Sequence, residues 1–525
     1  MKEIKRICIV GGGVEGWMVA SIIKNLLKDI DIVVIQESEY EDQKEISEST
    51  VQGFKEFFGF LRIDDDKWIK ECNATYKIGN YIKNFQSQND GGFFNPTCHS
   101  VFSNFNKALH FLYFLPKEYP QYYSSKELMF IFNPISFLGE KNKLLKGNFG
   151  TVTWDIEKDA SYHFDKNLFK KMLKEQVAML DGVAELSGKV VGFDQDKEGN
   201  ITNLFTSEGI GVNSDLYIDC TGKKSLLLGQ YMGTKFKSFK KYLLNNYRVS
   251  VSIPYKNKEL ELVNYTTHTA LKNGWVQTIP LWDRLELNYF YSNEFISNKE
   301  ALNEFKNYVK KEFSYLESPP LFKAHTEIKQ GKHKKAWVKN VVAIGSSFGS
   351  LEPITSFDKF ITVKNIIRLL GIISFRNGYS QIDQVRYNNE TSDFFDLYRD
   401  YTSLIYHLSN RNDSEYWKYN TSSLKINKKP KNTSFQEFLN IPNMATFKDA
   451  FTKEQSLIAI SSGMGHYPVN NIEYWFMKGL STDNHKELKI LHENYIKLKE
   501  DIDKSLEKEL STYQFLKQYI YNLGN

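Results

Sequence analysis

The first apolar positions form an unbroken run, Ile7-Cys8-Ile9-Val10, entered from Lys5 and Arg6 and followed at once by glycines. A short run without alternation, bounded by turn residues, predicts a strand buried on both faces. From Val14 to Leu27 the spacing turns helical, and Ile32 to Ile35 supplies a second buried strand. Two later β-rich runs, Asp215 to Cys220 and Val341 to Ile344, each lead into a small-residue turn. Three strand ends with glycine turns predict an open α/β sheet that holds a ligand at its carboxyl edge. Strand patterns dominate around 245–295. The polar, lysine-rich stretch from Lys425 to Thr433, with Pro430, reads as a surface loop. Beyond it, Leu488, Leu491, Tyr495, Leu498 and Ile502 recur at 3–4 spacing with charges between them, predicting a long amphipathic helix packed on the body.

Composition narrows the class. At 525 residues the chain exceeds one compact core. Hydrophobic content of 41% and charged content of 25% are those of a soluble globular protein, and 15% aromatics suit a large interior or a site for flat rings. A net charge of +5 over this length does not argue for nucleic acid. The four cysteines, Cys8, Cys72, Cys98 and Cys220, contain no CxxC pair, which argues against a disulfide framework or a metal site and for a reducing cytoplasm. No apolar run reaches the roughly 18 residues of a membrane span, and the N-terminal apolar stretch runs into glycines rather than a signal-peptide layout.

Gly11, Gly13 and Gly16 form GxGxxG between the first strand and the helix. The first glycine permits the tight turn, the second lets a pyrophosphate approach the backbone, and the third lets helix and strand pack closely. Glu37, at the end of the second strand, stands where a carboxylate can accept hydrogen bonds from ribose hydroxyls. An acid there would repel a 2′-phosphate, which disfavours NADP at this site.

The wording around these glycines is more specific than the motif. IVGGGVEGWMVA (9–20) closely resembles the flavin-dependent tryptophan-halogenase family, and further blocks follow in the family's order: SEST (47–50), NATYK (73–77), SYHFD (161–165), DLYIDCTG (215–222), GWVQTIPL (274–281), YSNEFIS (291–297), AWVKNVVAIGSSFGSLEP (336–353) and LSNRNDSEYW (408–417). The resemblance weakens after about residue 420. It implies a Rossmann-type, flavoprotein-monooxygenase-like α/β fold with a mainly helical C-terminal region. The expected organisation is an FAD-binding module over 1–370, with a β-rich substrate-side insertion at about 240–300, and a helical region over 371–525 that shapes the substrate pocket. It further implies that FADH2, O2 and a halide ion yield hypohalous acid, which reaches a lysine beside an aromatic substrate. Lys77 matches that lysine, and Lys83 is the fallback. Glu48, Ser49, Thr50, Gly222 and Gly345 fall in flavin-contacting blocks, and Trp275 and Pro280 in the tryptophan-bearing block.

Two departures bear on the chemistry. Where the family reads Pro–Leu–Glu–Ser–Thr–Gly, this chain reads Pro353-Ile354-Thr355-Ser356-Phe357-Asp358. Thr355 replaces the catalytic glutamate, and Phe357 and Asp358 replace the halide-binding pair. Glu352 and Asp358 each lie three residues from Thr355 and are candidate substitutes, while backbone amides offer another way to hold an anion. Gln277 stands where the family has its second tryptophan. No second nucleotide fingerprint is present, so a separate flavin reductase is the expected partner, with a small aromatic substrate, no nucleic acid and no membrane; a homodimer is allowed. The sequence therefore reads as a cytoplasmic flavin-dependent halogenase of electron-rich aromatics, favouring bromide or iodide. The alternatives are a flavin monooxygenase or oxidase on the same scaffold, or an inactive flavin-binding homologue.

Overall fold

The computed structural model describes residues 3–37, 47–98, 115–178, 180–376, 378–422, 460–465 and 482–523. The expected loop from Lys425 to Thr433 lies outside them. The chain forms two compact units, each assembled from three stretches. Met1–Ala74, Phe164–Arg248 and Lys323–Arg399 make the first, and Thr75–His163, Val249–Phe322 and Asp400–Asn525 the second.

The first unit is built on a six-stranded sheet in the order Trp337–Val338, Val341–Ala343, Leu216–Asp219, β1 (Arg6–Val10), β2 (Asp31–Gln36) and Val183–Ser187. All neighbours are parallel except the first pair. Ile7, Cys8 and Ile9 are wholly buried, as a strand covered on both faces requires. The crossover from β1 to β2 is helix α1 (Val14–Leu26), which buries Trp17, Met18, Val19, Ala20, Ile22 and Ile23. The expected helix is present, and Leu27 caps it. The strand ends at Gln36 rather than Glu37, so Glu37 stands one residue past the sheet. The runs around 215–220 and 341–344 are both strands, as their β-rich composition predicts: Leu216–Asp219 pairs with β1, and Val341–Ala343 pairs with Leu216–Asp219.

The second unit carries the strands of the 245–295 region. Tyr247–Ile253 enters it from the first unit's stretch, followed in the sheet by Leu285–Tyr291, Gly274–Pro280, Tyr265–Ala270, Gly79–Lys83 and Phe93–Pro96. Six of the seven residues of Gly274–Pro280 and all seven of Leu285–Tyr291 are buried, so this sheet too is covered on both faces. The amphipathic helix expected near residue 490 spans Thr482–Leu506, with Leu488, Tyr495 and Ile502 buried.

Candidate active site

In the first unit, three glycine turns follow three adjacent parallel strands. Gly11 sits at φ +113°, where a Cβ would stand 2.2 Å from the Cys220 carbonyl oxygen, so no other residue fits. A Cβ on Gly16 would stand 1.9 Å from the Gly11 carbonyl oxygen, which is how closely helix and turn approach. Gly13 is different. It is the N-cap of α1 in ordinary extended backbone, and a Cβ there would meet only Glu15 Oε2, at 3.9 Å. The space before the helix N-terminus is open on the side where unbonded amides point. Gly222 and Gly345, at φ +62° and +68°, shape the turns after Leu216–Asp219 and Val341–Ala343. Buried Asp219 ties the second turn down by accepting from Thr221 N–H (3.0 Å), Thr221 O–H (2.6 Å), Leu227 N–H (2.9 Å) and Leu228 N–H (2.8 Å). Glu37 pairs with Lys224 of that turn at 2.8 Å. This cradle fits the diphosphate of a dinucleotide such as FAD.

Beside it runs an alternating chain of charges. Lys359 pairs with Glu15 and, at 3.3 Å, with Glu48; Glu48 pairs with Lys166, also at 3.3 Å. Lys359 and Glu48 are buried, and the two lysines offset the two glutamates, as buried charges require. The chain links the first turn of α1, the Ser47–Ser49 strand and the starts of the helices Lys166–Ala178 and Asp358–Arg376. Ser49 adds a hydroxyl contact to Ser356 at 3.1 Å, and Thr50 is fully buried next to it in sequence.

The divergent segment is ordered. Pro353–Thr355 makes a single 3-10 turn, Ser356 takes a left-handed conformation at φ +59°, and Asp358 opens a 19-residue helix. Phe357 packs on Tyr398, ring centroids 4.2 Å apart. Thr355 is buried. Glu352 is fixed by neighbours: its Oε2 accepts from Asn245 Nδ2 at 2.7 Å, and its N–H donates to Gln330 Oε1 at 3.0 Å.

In the second unit, Lys77 ends the strand Thr75–Lys77 and is 0% exposed, unlike a surface lysine. Its carbonyl accepts from the Ser161 hydroxyl at 2.9 Å. Two fully buried histidines lie near it. Burial first, and then the Lys77 charge, hold His163 and His268 well below the usual imidazole range, so both are neutral. Burial likewise pushes the Cys98 thiol up to about 12. Trp275 is fully buried and stacks on Phe290 with centroids 4.5 Å apart. Gln277 pairs in register with His268, and its Oε1 accepts from Asn288 Nδ2 at 3.5 Å. Buried Pro280 ends the same strand. Lys83 is half-buried at the end of Gly79–Lys83.

Within the first unit, then, the structure joins Gly11, Gly13, Gly16, Gly222 and Gly345 in one cradle, and Glu48 with Ser49 near the segment 352–358. Within the second it places His163 and His268 within electrostatic reach of Lys77. No sequence pattern marks Lys359, Lys166 or His268; Glu15, Thr75 and His163 fall within the blocks 9–20, 73–77 and 161–165, and that membership is the signal available for them.

A Rossmann-type sheet with a glycine cradle at its carboxyl edge defines a dinucleotide-binding protein. Residues 6–474 match the tryptophan halogenase family, and the chain belongs to that family of flavin-dependent halogenases. It is 29% identical to tryptophan 7-halogenase KtzQ of Kutzneria sp. (strain 744) over 430 residues, covering 79% of this chain and 78% of that one. It is 28% identical to tryptophan 7-halogenase RebH of Lentzea aerocolonigenes over 431 residues, covering 80% and 79%. Among solved structures, VirX1 in its apo form superposes with a TM-score of 0.89 at 29% identity, covering 99% of this chain and 100% of that one. A flavin-dependent halogenase from Xanthomonas campestris shares the fold at a TM-score of 0.84 and 22% identity, covering 99% of each chain. Among the described residues, no helix is long and apolar enough to cross a membrane.

Proposed function

We propose that this chain halogenates electron-rich aromatic substrates through Lys77, using FADH2 delivered by a separate flavin reductase. The observation that carries the reading is a lysine with no solvent exposure, on the NATYK strand, beside two neutral imidazoles. Reduced flavin, when bound, supplies with O2 the oxidising equivalent that turns halide into hypohalous acid. The Gly11–Gly13–Gly16 turn and α1 amides would hold its diphosphate, and Glu37 would accept hydrogen bonds from its ribose hydroxyls. Lys77 donates a hydrogen bond to the hypohalous oxygen and polarises the O–X bond. The aromatic carbon then takes the halogen, and the departing oxygen leaves as water with the ring proton.

Thr355 is neutral, and one oxygen of Glu352 is already engaged by Asn245. Loss of the ring proton therefore relies on water or on the substrate, which favours phenols and similarly electron-rich rings. With Phe357 turned into an aromatic contact, the halide meets no Thr–Gly pair. Bromide and iodide, easier to oxidise and less costly to desolvate, are the favoured halides. KtzQ and RebH are named for tryptophan; here indoles are one class among several. The polar amide of Gln277, buried where the family carries a tryptophan, favours as a second reading direct oxygenation of substrate.

Lys77→Ala tests the assignment. Halogenated product should vanish while reoxidation of reduced flavin by O2 continues at nearly the same rate. Loss of flavin binding in this variant would make Lys77 a structural residue instead.

A further inference from the structure

Thr75 and Lys77 lie two residues apart on one strand and so face the same way. Across the antiparallel pairing, Thr75 meets His163 and Lys77 meets Ser161. The hydrogen-bond directions here follow from counting protons. A threonine hydroxyl has one proton, and a carbonyl can only accept. Thr75 therefore gives its proton to the Pro280 carbonyl, at 2.8 Å. His163 Nδ1, 3.0 Å from the same oxygen, must be the donor to it. The ring is neutral, so with its proton on Nδ1 it presents a bare Nε2, which accepts from the Thr266 hydroxyl at 2.8 Å. The relay runs one way, from Thr266 through His163 and Thr75 to Pro280. A second relay runs beside it: Ser161 donates to the Lys77 carbonyl at 2.9 Å, so the Thr97 hydroxyl, 3.1 Å away, donates to Ser161.

Both relays end on backbone carbonyls, and together they clamp the three-residue strand that carries Lys77. The first also ties that strand to the end of Gly274–Pro280. His163 is the one member of either relay that can exist in two tautomers, and only the Nδ1–H form completes the chain. We propose that His163, held in that tautomer, is the positioning residue that aims Lys77 for halogen transfer. The inference rests on the assignment of Lys77 made above. Its energetic logic is geometric: a displacement of about 1 Å at a reacting group can cost about a hundredfold in rate.

The test uses the full chain with chemically reduced FAD, O2, bromide and a phenol, reading flavin reoxidation, brominated product per flavin oxidised, and kcat and KM for the phenol. His163→Phe keeps the volume and removes both nitrogens. His163→Asn keeps an N–H donor where Nδ1 stands. Expected for His163→Phe is a kcat about tenfold or more below wild type, with KM and flavin reoxidation within about twofold. His163→Asn should recover to within about threefold of wild type, and Thr75→Val should reproduce His163→Phe while Thr75→Ser does not. A general packing role would instead lower His163→Asn and His163→Phe alike, and that result overturns the proposal. If His163→Phe does not fold, the Thr75→Val and Thr75→Ser pair decides in the same way. An inactive Lys77→Ala beside a fully active His163→Phe overturns this inference alone. A Lys77→Ala that still brominates overturns the Lys77 assignment, and the inference with it.

Discussion

Gly13→Ser separates what the glycine cradle does for the fold from what it does for the flavin. Gly13 has φ −73° and ψ −175°, which any residue adopts, and a Cβ would touch only Glu15 Oε2 at 3.9 Å. The protein itself has no objection to a side chain there. As the N-cap of α1, position 13 lacks a capping hydrogen bond, and serine would supply one, worth a few tenths of a kcal/mol over glycine. Thermal stability should therefore stay level or rise slightly. The same hydroxyl occupies the diphosphate space and takes an amide the phosphate would use. Losing one charge-assisted hydrogen bond costs about 2 kcal/mol, or about thirtyfold in Kd. Gly16→Ala is the opposite control: its Cβ would stand 1.9 Å from the Gly11 carbonyl oxygen, so the fold must suffer first. Flavin fluorescence titration and a melting curve on the same samples give both numbers. Unchanged FAD affinity in Gly13→Ser, or a melting point as depressed as that of Gly16→Ala, would refute the reasoning.

Turnover should require an added flavin reductase or chemically reduced FAD, and steady turnover from NADPH and oxidised FAD in a reductase-free preparation would contradict that. Asp413 is held below the usual carboxylate range chiefly by its hydrogen bond from Arg411, whose Nε and Nη2 reach it at 2.8 and 2.7 Å. A depressed folded pKa stabilises above the unfolded value and is lost as pH falls through the folded one. The pair's contribution should therefore be complete above about pH 4 and fade below it, and urea midpoints of wild type and Asp413→Asn should converge at low pH. At neutral pH, Asp413→Asn should cost about 1 kcal/mol, because Arg411 loses its carboxylate partner while keeping its hydrogen bond to the Asn84 carbonyl, and Asp413 is exposed enough for solvent to screen the pair.

The glycine cradle was legible because its determinants are local. An unbroken apolar run, three glycines and a helical period all fall within residues 7–35, and each has one structural meaning. The turns at Gly222 and Gly345 were legible for the same reason. The Glu15–Lys359–Glu48–Lys166 chain was not: Glu15 and Lys359 stand 344 residues apart and each looks locally like a solvated charge. Lys77 is proposed from the NATYK block alone, since nothing in its spacing distinguishes a lysine with no exposure from a surface one. His163 sits between Tyr162 and Phe164 in a short mixed stretch that gives no sign of its partners. The role proposed for it rests on the strand pairing that puts Thr75 opposite it and on the proton count that assigns the tautomer. The two units draw on interleaved stretches, through pairings such as Thr75 with His163, which no local pattern announces.

The central claim is that this chain makes a carbon–halogen bond. Mass spectrometry of reactions containing chemically reduced FAD, O2, equal chloride, bromide and iodide, and a panel of phenols and indoles including free tryptophan tests it most directly. The account predicts brominated or iodinated aromatic products, spread over several electron-rich substrates and absent with Lys77→Ala. Products carrying oxygen in place of halogen, or no product while flavin is reoxidised, would contradict it, and chlorination of tryptophan alone at one position would contradict the halide and substrate preference.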